Sequence, residues 1–199
     1  NNSISLIATD LEIELSFNIN CDSINEQGET TVSARKIFDL TRSLEDETTL
    51  EFSLKDNQLT VTAKKFNGEF AILPIQDFPV VEIDSFDLET SLSGKLLADL
   101  IDQTSFAMAS QDVRYYLNGI LVEIDGSNVN LVATDGHRLA WASETLDKEL
   151  NESKLILPRK SALELQKLLN LYPGEVDLRF SSNQIMISSE EFRFVSKLI

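Results

Sequence analysis

The stretch Val132-Ala133-Thr134-Asp135-Gly136-His137-Arg138-Leu139-Ala140 joins an apolar strand to a glycine-containing corner that carries the only histidine of the chain. Apolar and polar residues alternate at residues 129–133 and 138–142, which predicts a half-buried strand on each side of the corner. A related strand and corner, Ile4-Ser5-Leu6-Ile7-Ala8-Thr9-Asp10, lies near the start of the sequence. The chain therefore carries the same local pattern twice.

The two stretches belong to a longer internal repeat. Ile4, Leu6, Ala8, Thr9 and Asp10 match Val129, Leu131, Ala133, Thr134 and Asp135 at an offset of 125 residues (129 minus 4). The offset is 124 from Arg35-Lys36 to Arg159-Lys160, 126 from Asn57-Gln58 to Asn183-Gln184, and 124 from Phe70 to Phe194. Because the offset drifts by only two residues while the order of the elements is kept, we expect a gene duplication in which each copy forms a domain.

Hydrophobic periodicity predicts a mixture of helices and strands. Strands are predicted at residues 4–8, 11–15, 49–54, 58–63, 66–73, 117–124, 129–133, 138–142, 177–180, 184–188 and 192–196. Helical spacing runs from Ser33 to about Leu44 and from Ser93 to about Met108, and Pro158 is expected in the first turn of a third helix. Residues 18–30 are polar, which predicts a loop. The predicted fold class is α+β.

The predicted domain boundary lies near residues 84–90, where the chain is acidic and loses its periodicity. We expect a first domain at residues 1–86 and a second domain at residues 87–199. The second copy has a helix and strands before its repeated strand, whereas the first copy begins directly at that strand. The first copy has a closing segment after Leu73 that the second copy lacks. The chain is therefore expected to be a fragment without the start of its first domain or the end of its second.

Composition limits the possible classes of function. Hydrophobic residues make up 42% of the chain, and no apolar run approaches the roughly 20 residues that cross a bilayer, so we expect a soluble protein without membrane contact. Cys21 and His137 are the only residues of their types, so neither an internal disulfide nor a Cys/His metal cage is expected. We therefore expect no metal, no cofactor and a reducing compartment, the cytoplasm.

Two Arg-Lys pairs stand out against a formal net charge of -16. Acidic runs such as residues 45–47 and 190–191 fit a solvated surface, and the net charge argues against a chain coated for nucleic acid. Arg35-Lys36 and Arg159-Lys160 nevertheless lie in predicted first helical turns, where the macrodipole disfavours cations by about 0.3–1 kcal/mol. A helix N-terminus with two cations is suited to phosphate. The repetition favours contact with a polyanion backbone, and a solvated helix end is the alternative.

A tyrosine pair follows the first predicted helix of the second copy, in the segment Gln111-Asp112-Val113-Arg114-Tyr115-Tyr116. Two adjacent tyrosines beside an arginine can stack on bases or reach phosphates. Neighbouring strand residues face opposite ways, so the alternative is that one tyrosine packs beneath a sheet.

The corner of the second copy differs from that of the first, because Asp10-Leu11-Glu12 is replaced by Asp135-Gly136-His137-Arg138-Leu139. A hydrolase could pair Asp135 or a serine with His137 as a general base, but no Gly-x-Ser-x-Gly elbow or second histidine accompanies it. Gly136 allows close backbone approach, and Leu117 and Leu139 can supply apolar walls, which favours a surface pocket for a short peptide. A structural turn with an exposed histidine is the remaining alternative.

Several motifs resemble one protein family in the correct order along the chain. The segment Asp112-Val113-Arg114-Tyr115-Tyr116-Leu117-Asn118-Gly119 and the stretch 132–140 closely resemble the bacterial DNA polymerase III beta subunits, the replicative sliding clamps. Further similar motifs are Thr9-Asp10-Leu11-Glu12, Ala34-Arg35-Lys36, Asp77-Phe78-Pro79 and Ser196-Lys197-Leu198. The resemblance covers essentially the whole chain.

The resemblance implies a DNA-clamp fold of the α+β class, with duplicated domains that each pack two helices on antiparallel sheets. It also implies a homodimeric ring whose protomers have three similar domains each, of which this chain would hold most of the first two. The implied function is a non-catalytic processivity factor that encircles double-stranded DNA without reading its sequence. The implied partners are the alpha subunit of the replicative polymerase, the clamp-loader complex, and other polymerases and repair proteins that bind through short peptide motifs.

The resemblance also implies roles for individual residues. Those implied at DNA are Arg35, Lys36, Gln111, Arg114, Tyr115, Tyr116, Arg159 and Lys160. Those implied in a peptide cleft are Leu117, Thr134, Gly136, His137, Arg138 and Leu139, and the rest of the cleft is expected beyond Ile199. An acidic outer surface would keep DNA inside the ring, so the net charge of -16 agrees with what the resemblance implies. A small hydrolase that uses His137 and a non-DNA structural repeat protein are the two competing hypotheses.

Overall fold

The structure is a computed structural model that describes residues 2–55, 57–79, 81, 85–86 and 88–199. Contacts divide the chain into two compact units. The first unit contains the described residues of 1–3 and 20–80, and the second contains those of 4–19 and 81–199. Residues 4–19 thus pack with the second unit. The domain boundary predicted between residues 86 and 87 stays a prediction.

The elements follow one another as β1 (Ser3–Thr9), β2 (Ile13–Asn20), α1 (Ala34–Ser43), β3 (Glu51–Lys55), β4 (Gln58–Ala63), β5 (Phe66–Ala71), β6 (Leu88–Ser93), α2 (Gly94–Ser105), β7 (Gly119–Asp125), β8 (Asn128–Thr134), β9 (Leu139–Thr145), β10 (Ser153–Pro158), α3 (Arg159–Leu171), β11 (Glu175–Phe180), β12 (Gln184–Ser188) and β13 (Phe192–Lys197). The predicted α+β class is confirmed. The second unit has the two α-helices expected of a domain, whereas α1 is the only α-helix among the described residues of the first unit.

The second unit is built around two sheets, with the strand orders β1-β2-β13-β12-β11-β6 and β10-β7-β8-β9. Helices α2 and α3 pack against each other, α2 against β6–β9 and α3 against β7 and β10. Ile101, Ile120, Leu165, Leu169 and Ile187 are among the fully buried side chains of the resulting core. Each such burial contributes about 1.5–3 kcal/mol, so this core holds the helices and sheets of the unit together.

The first unit has a smaller core between α1 and the sheet β3-β4-β5. Leu40 of α1 is buried with Leu59 and Val61 of β4, and Ile37 and Phe70 pack partly buried around them. Across the described residues of both units, no helix is long and apolar enough to span a membrane.

The three helix starts were predicted with unequal success. Ser93, where the second helix was predicted to begin, caps α2, because its Oγ accepts a hydrogen bond from the Leu96 N–H at 3.3 Å. Ser33 occupies the N-cap position of α1 but makes no side-chain capping bond. Pro158 lies at the N-cap of α3 and ends β10, so its predicted place in the first turn is wrong.

The strand predictions required several corrections. β1 is exposed along most of its length, so its predicted half-buried character is wrong, and Leu11 lies in a turn rather than in the following strand. β2 runs to Asn20, into the predicted loop. β6 and β10 were not predicted, because β6 is a polar edge strand and β10 carries Leu155-Ile156-Leu157 without alternation. The strands predicted at residues 49–54 and 58–63 correspond to β3 and β4, which pair antiparallel, and Asp56 between them lies outside the described residues.

The corner between β1 and β2, residues 9–13, is closed by a compact set of hydrogen bonds and is called the first corner below. Thr9 Oγ1 donates to the Ile13 carbonyl at 2.8 Å and accepts from the Leu11 N–H at 3.1 Å. Asp10 Oδ1 accepts from the N–H groups of Glu12 at 3.0 Å and Ile13 at 2.9 Å. The two side chains therefore satisfy the backbone groups that the corner leaves unpaired.

The corner between β8 and β9, residues 134–138, repeats this pattern and is called the second corner. Thr134 Oγ1 donates to the Arg138 carbonyl at 2.7 Å and accepts from the Gly136 N–H at 3.0 Å. Asp135 Oδ1 accepts from the N–H groups of His137 at 2.9 Å and Arg138 at 3.0 Å. Residues at the repeat offset thus make the same bonds.

The two corners place different residues in the same left-handed conformation, with φ of 78° at Leu11 and 89° at Gly136. A side chain at positive φ is strained by about 1–2 kcal/mol, and glycine is not. The first corner therefore carries a strain that the second avoids.

We expect Leu11→Gly to raise the free energy of unfolding by about 0.5–1 kcal/mol, because the relieved strain exceeds the added entropy of the unfolded chain. Leu11 is 58% exposed, so little burial is lost. Gly136→Ala should lower stability, since its Cβ would meet Arg114 Nη2 at 3.1 Å in addition to the positive φ. Urea unfolding of both variants measures the difference. A loss of stability in Leu11→Gly comparable to that in Gly136→Ala would contradict the assignment of strain.

Candidate functional site

The first Arg-Lys pair lies in the first turn of α1, as the sequence predicts. The Arg35 side chain is 90% exposed, and its Nε lies 3.8 Å from Asp39 Oδ2 one turn further along the helix. Lys36 is exposed as well. Both cations are therefore accessible to an anion from solvent.

The second pair lies in the first turn of α3, but both of its side chains have partners. The Arg159 N–H donates to the Asn118 carbonyl at 2.8 Å, and Arg159 Nη1 donates to the Met108 carbonyl at 3.1 Å. Arg159 thus ties the start of α3 to the segment between α2 and β7.

Lys160 Nζ binds Asp10 Oδ2 of the first corner, with Glu12 Oε2 at 3.9 Å. The hydrogen bond from Lys160 holds the pKa of Asp10 at about 2, well below its ordinary value, and backbone N–H donors of the corner contribute. The same bond raises the pKa of Lys160. The Lys160 ammonium is therefore bound by carboxylates of the chain. It is less available to an external anion than the Arg35 or Lys36 side chain.

The segment from Gln111 to Asn118, called the tyrosine loop below, is braced by its own side chains. Asn118 Oδ1 accepts from the Asp112 N–H, and Asn118 Nδ2 donates to the Asp112 carbonyl, both at 2.9 Å. Arg114 forms a fork with Asp112, from Nε at 3.0 Å and Nη2 at 2.9 Å. This fork holds the pKa of Asp112 at about 2. The loop is thus a preformed surface feature.

Tyr115 and Tyr116 lie in a short 3-10 turn with their ring centroids 6.1 Å apart and nearly perpendicular. Tyr115 is 69% exposed and Tyr116 is 51% exposed. Neither ring packs beneath a sheet, so that alternative is wrong. Both rings are open to an aromatic or anionic ligand.

The tyrosine loop contacts the second corner through Arg114. A Cβ at Gly136 would lie 3.1 Å from Arg114 Nη2, so the glycine permits the guanidinium to lie against the backbone. The residues implied at DNA and those implied in a peptide cleft are therefore neighbours at this point.

The second corner presents an exposed rim. Arg138 Nε donates to Asp135 Oδ2 at 2.9 Å, and its guanidinium carbon lies 5.8 Å from the centre of the Phe106 ring. His137 is exposed and Leu139 is 65% exposed, whereas Leu117 and Thr134 are half-buried. An exposed leucine beside fixed polar groups suits a short peptide with apolar anchors.

The catalytic hypothesis for His137 gains no geometric support. The Asp135 carboxylate is occupied by the N–H groups of His137 and Arg138, which lower its pKa, and by the Arg138 side chain. Within the described residues, no hydrogen bond joins the His137 ring to Asp135. The part of the chain that the structure describes also contains no group of three or more His, Cys, Asp or Glu side chains suited to a metal ion.

Two features of the site were missed from the sequence. Lys95 lies in the first turn of α2 and binds Asp99. The start of α2 is thus a third helix start with a cation, and the internal repeat gave no sign of it. Trp141 is 68% exposed on β9, with Nε1 donating to Asn130 Oδ1 at 3.3 Å. Trp141 follows Leu139 by two residues, and this spacing alone places both on one face of a strand.

We expect the pKa of Asp10 to rise toward its ordinary value of 3.8 when Lys160 is replaced by methionine. Because the pKa is lower in the folded chain, ionised Asp10 stabilises the fold above about pH 4 and this contribution is lost as the pH falls through about 2. Carboxyl carbon NMR titration measures the midpoint directly.

Asp112 supplies a matched control, since its pKa of about 2 depends on Arg114. Lys160→Met should leave the Asp112 midpoint unchanged, and Arg114→Met should move it without moving Asp10. An Asp10 midpoint that stays near 2 in Lys160→Met would show that the ion pair does not form.

Comparison with known families gives two matches in order along the chain. Residues 1–82 match the DNA polymerase III beta subunit, N-terminal domain, and residues 91–199 match the DNA polymerase III beta subunit, central domain. Among curated relatives, the beta sliding clamp of Pseudomonas aeruginosa is 42% identical over 98% of this chain, and that of Escherichia coli is 36% identical over 99%. The chain spans 54% of the length of each of these relatives.

Solved structures agree with this result. A crystal structure of the DNA polymerase III subunit beta from Pseudomonas aeruginosa matches this chain over its whole length, with a TM-score of 0.94 at 41% identity. The match covers 55% of the Pseudomonas aeruginosa chain. A sliding clamp from Bartonella birtlesii bound to griselimycin also covers the whole chain, with a TM-score of 0.92 at 33% identity over 55% of its own length. The chain therefore belongs to the DNA polymerase III beta subunit family.

Proposed function

We propose that this chain is part of a sliding clamp, a processivity factor that encircles duplex DNA and tethers a replicative polymerase. The observation that carries the proposal is the match of two successive beta-subunit domains in order along the chain. Relatives of nearly twice its length bear the name beta sliding clamp. The working form is a homodimeric ring in the bacterial cytoplasm, and its role is that of a non-catalytic subunit.

The proposed DNA contacts are of two kinds. Arg35 and Lys36 at the start of α1 would meet backbone phosphates, and Arg159 and Lys160 would contribute from the start of α3 while holding their internal partners. In the tyrosine loop, Gln111, Arg114, Tyr115 and Tyr116 would contact DNA at the rim. Such contacts carry no base readout, so binding is independent of sequence.

The charge distribution supports retention by topology rather than by affinity. A chain of net charge -16 repels DNA from most of its surface, so only local clusters of cations attract the backbone. Weak, sequence-independent contact inside a closed ring permits movement along DNA while preventing escape.

The second corner is the proposed docking site for partner proteins. Leu139 would supply an exposed apolar wall, with Leu117, Thr134, Gly136, His137 and Arg138 around it. Partners of this site would be the polymerase alpha subunit, the clamp loader, and other polymerases and repair proteins that present short peptide motifs. The hydrogen bonds from the Thr134 and Asp135 side chains to the backbone of the corner keep this surface preformed.

The topological proposal is tested by loading a protein of the relatives' full length, containing these residues, onto DNA. We expect long retention on circular DNA and rapid loss from linear DNA of the same sequence, because a ring slides off an open end. Gel filtration of the protein–DNA mixture measures the retained fraction. Equal retention on the two DNA forms would contradict encirclement.

The docking proposal is tested with a short peptide from a polymerase tail, titrated by fluorescence anisotropy into the same full-length protein. We expect Leu139→Ala to weaken binding by roughly tenfold or more, as for an anchor at the centre of an interface. Leu171→Ala is the matched control, since Leu171 is a leucine 75% exposed at the end of α3. An unchanged affinity in Leu139→Ala, or an equal loss in the control, would rule out the proposed cleft.

A further inference from the structure

The first turns of α1, α2 and α3 carry charges that oppose the helix dipole. The first turns of α1, α2 and α3 carry Arg35 with Lys36, Lys95, and Arg159 with Lys160, and none of these turns contains an acid. In each helix an acid follows a first-turn cation by four residues, as Asp39 after Arg35, Asp99 after Lys95 and Glu164 after Lys160.

Helix stability does not account for this order. A helix favours acids in its first turn and cations in its last, and a pair of side chains four residues apart is more stable with the acid first. The first turns of α1, α2 and α3 depart from the first rule and the cation-first order departs from the second, although Arg42 in the last turn of α1 follows the dipole. The repeated arrangement therefore points to a function of the charged surface.

The pairs of α1 and α2 are formed in the structure and remain open to water, whereas Glu164 of α3 pairs with Lys167. Lys95 binds Asp99, with side chains 59% and 48% exposed, and Arg35 lies 3.8 Å from Asp39, with side chains 90% and 64% exposed. Lys160 is held by Asp10, and Glu164 contributes to its raised pKa. Ion pairs with this exposure are weak, so a phosphate can replace the carboxylate without a large change in free energy.

We propose that these carboxylates act as resting partners for the DNA-facing cations and so limit the affinity of each helix start for the DNA backbone. This inference rests on the proposed clamp function. A cation that releases one phosphate returns to its own carboxylate instead of to water alone. The difference in free energy between bound and released states becomes small, which favours movement from one phosphate to the next.

The acids that follow the first-turn cations thus set how weakly these helix starts bind the DNA backbone. They reduce the number of phosphates that the surface neutralises at any moment, and this number sets both the affinity and its dependence on salt. Removal of an acid should leave its cation free to neutralise a phosphate fully.

The test measures binding of this chain to a short, labelled DNA duplex by fluorescence anisotropy over a series of low salt concentrations. We expect Asp39→Asn and Asp99→Asn each to tighten binding roughly two- to fivefold and the double variant to tighten it further. The slope of log affinity against log salt should become steeper by about 0.9 for each phosphate gained.

Asp147→Asn is the matched control, because Asp147 is exposed outside the helices and its replacement changes the net charge equally. It should tighten binding far less than Asp39→Asn. Equal tightening in the control would overturn the inference by showing that net charge alone is responsible.

Arg35→Ala separates this inference from the proposed function. Weaker binding in Arg35→Ala together with unchanged binding in Asp39→Asn and Asp99→Asn would overturn only the role of the acids. Absence of measurable binding by the unaltered chain, or unchanged binding in Arg35→Ala, would overturn the proposed DNA contacts themselves.

Discussion

The antiparallel pairing of β2 with β13 is the interaction that attaches residues 4–19 to the second unit. It joins a hairpin near the start of the chain to the last strand, with Ile13 opposite Ser196 and Phe17 opposite Phe192. Phe17, Phe192 and Tyr172 form an aromatic cluster with ring centroids 5.5–6.4 Å apart. The buried Glu14 carboxylate binds Arg193 at 3.0 Å and so crosses the same pair of strands. These contacts explain why residues 4–19 fold with a unit from which they are distant in sequence.

The same hairpin determines what Lys160 does. Because β2 is fixed beside β13, the first corner lies at the start of α3, and Asp10 meets the Lys160 ammonium. The Arg159 side chain, in contrast, donates to the carbonyl of Met108, which follows the end of α2. Two cations that look equivalent to Arg35 and Lys36 in sequence are thus partly engaged in holding the fold, which makes the two helix starts unequal in their capacity for phosphate.

The proposed DNA and peptide surfaces are neighbours because Arg114 of the tyrosine loop lies against the second corner. Arg114 is the residue from which the tyrosine turn begins, and its guanidinium lies against Gly136 of the second corner. Asp112 and Asn118 keep it there through side-chain bonds within the loop. A site of this kind is rigid before any ligand arrives, which lowers the entropy lost on binding.

The sequence alone determined the α+β class, the helices and most strands, because their periodicity and capping residues are local properties; the duplicated corners could also be read from Thr-Asp at a constant offset. Its motifs likewise pointed to the family. Only the tertiary structure decided that β6 and β10 are strands, since their pairing is supplied by β11 and β7 rather than by their own pattern. It also decided the ion pair between Asp10 and Lys160 and the contact of Arg114 with Gly136. Such contacts join residues far apart in the chain, and only the pairing of strands and the packing of helices bring them within bonding distance.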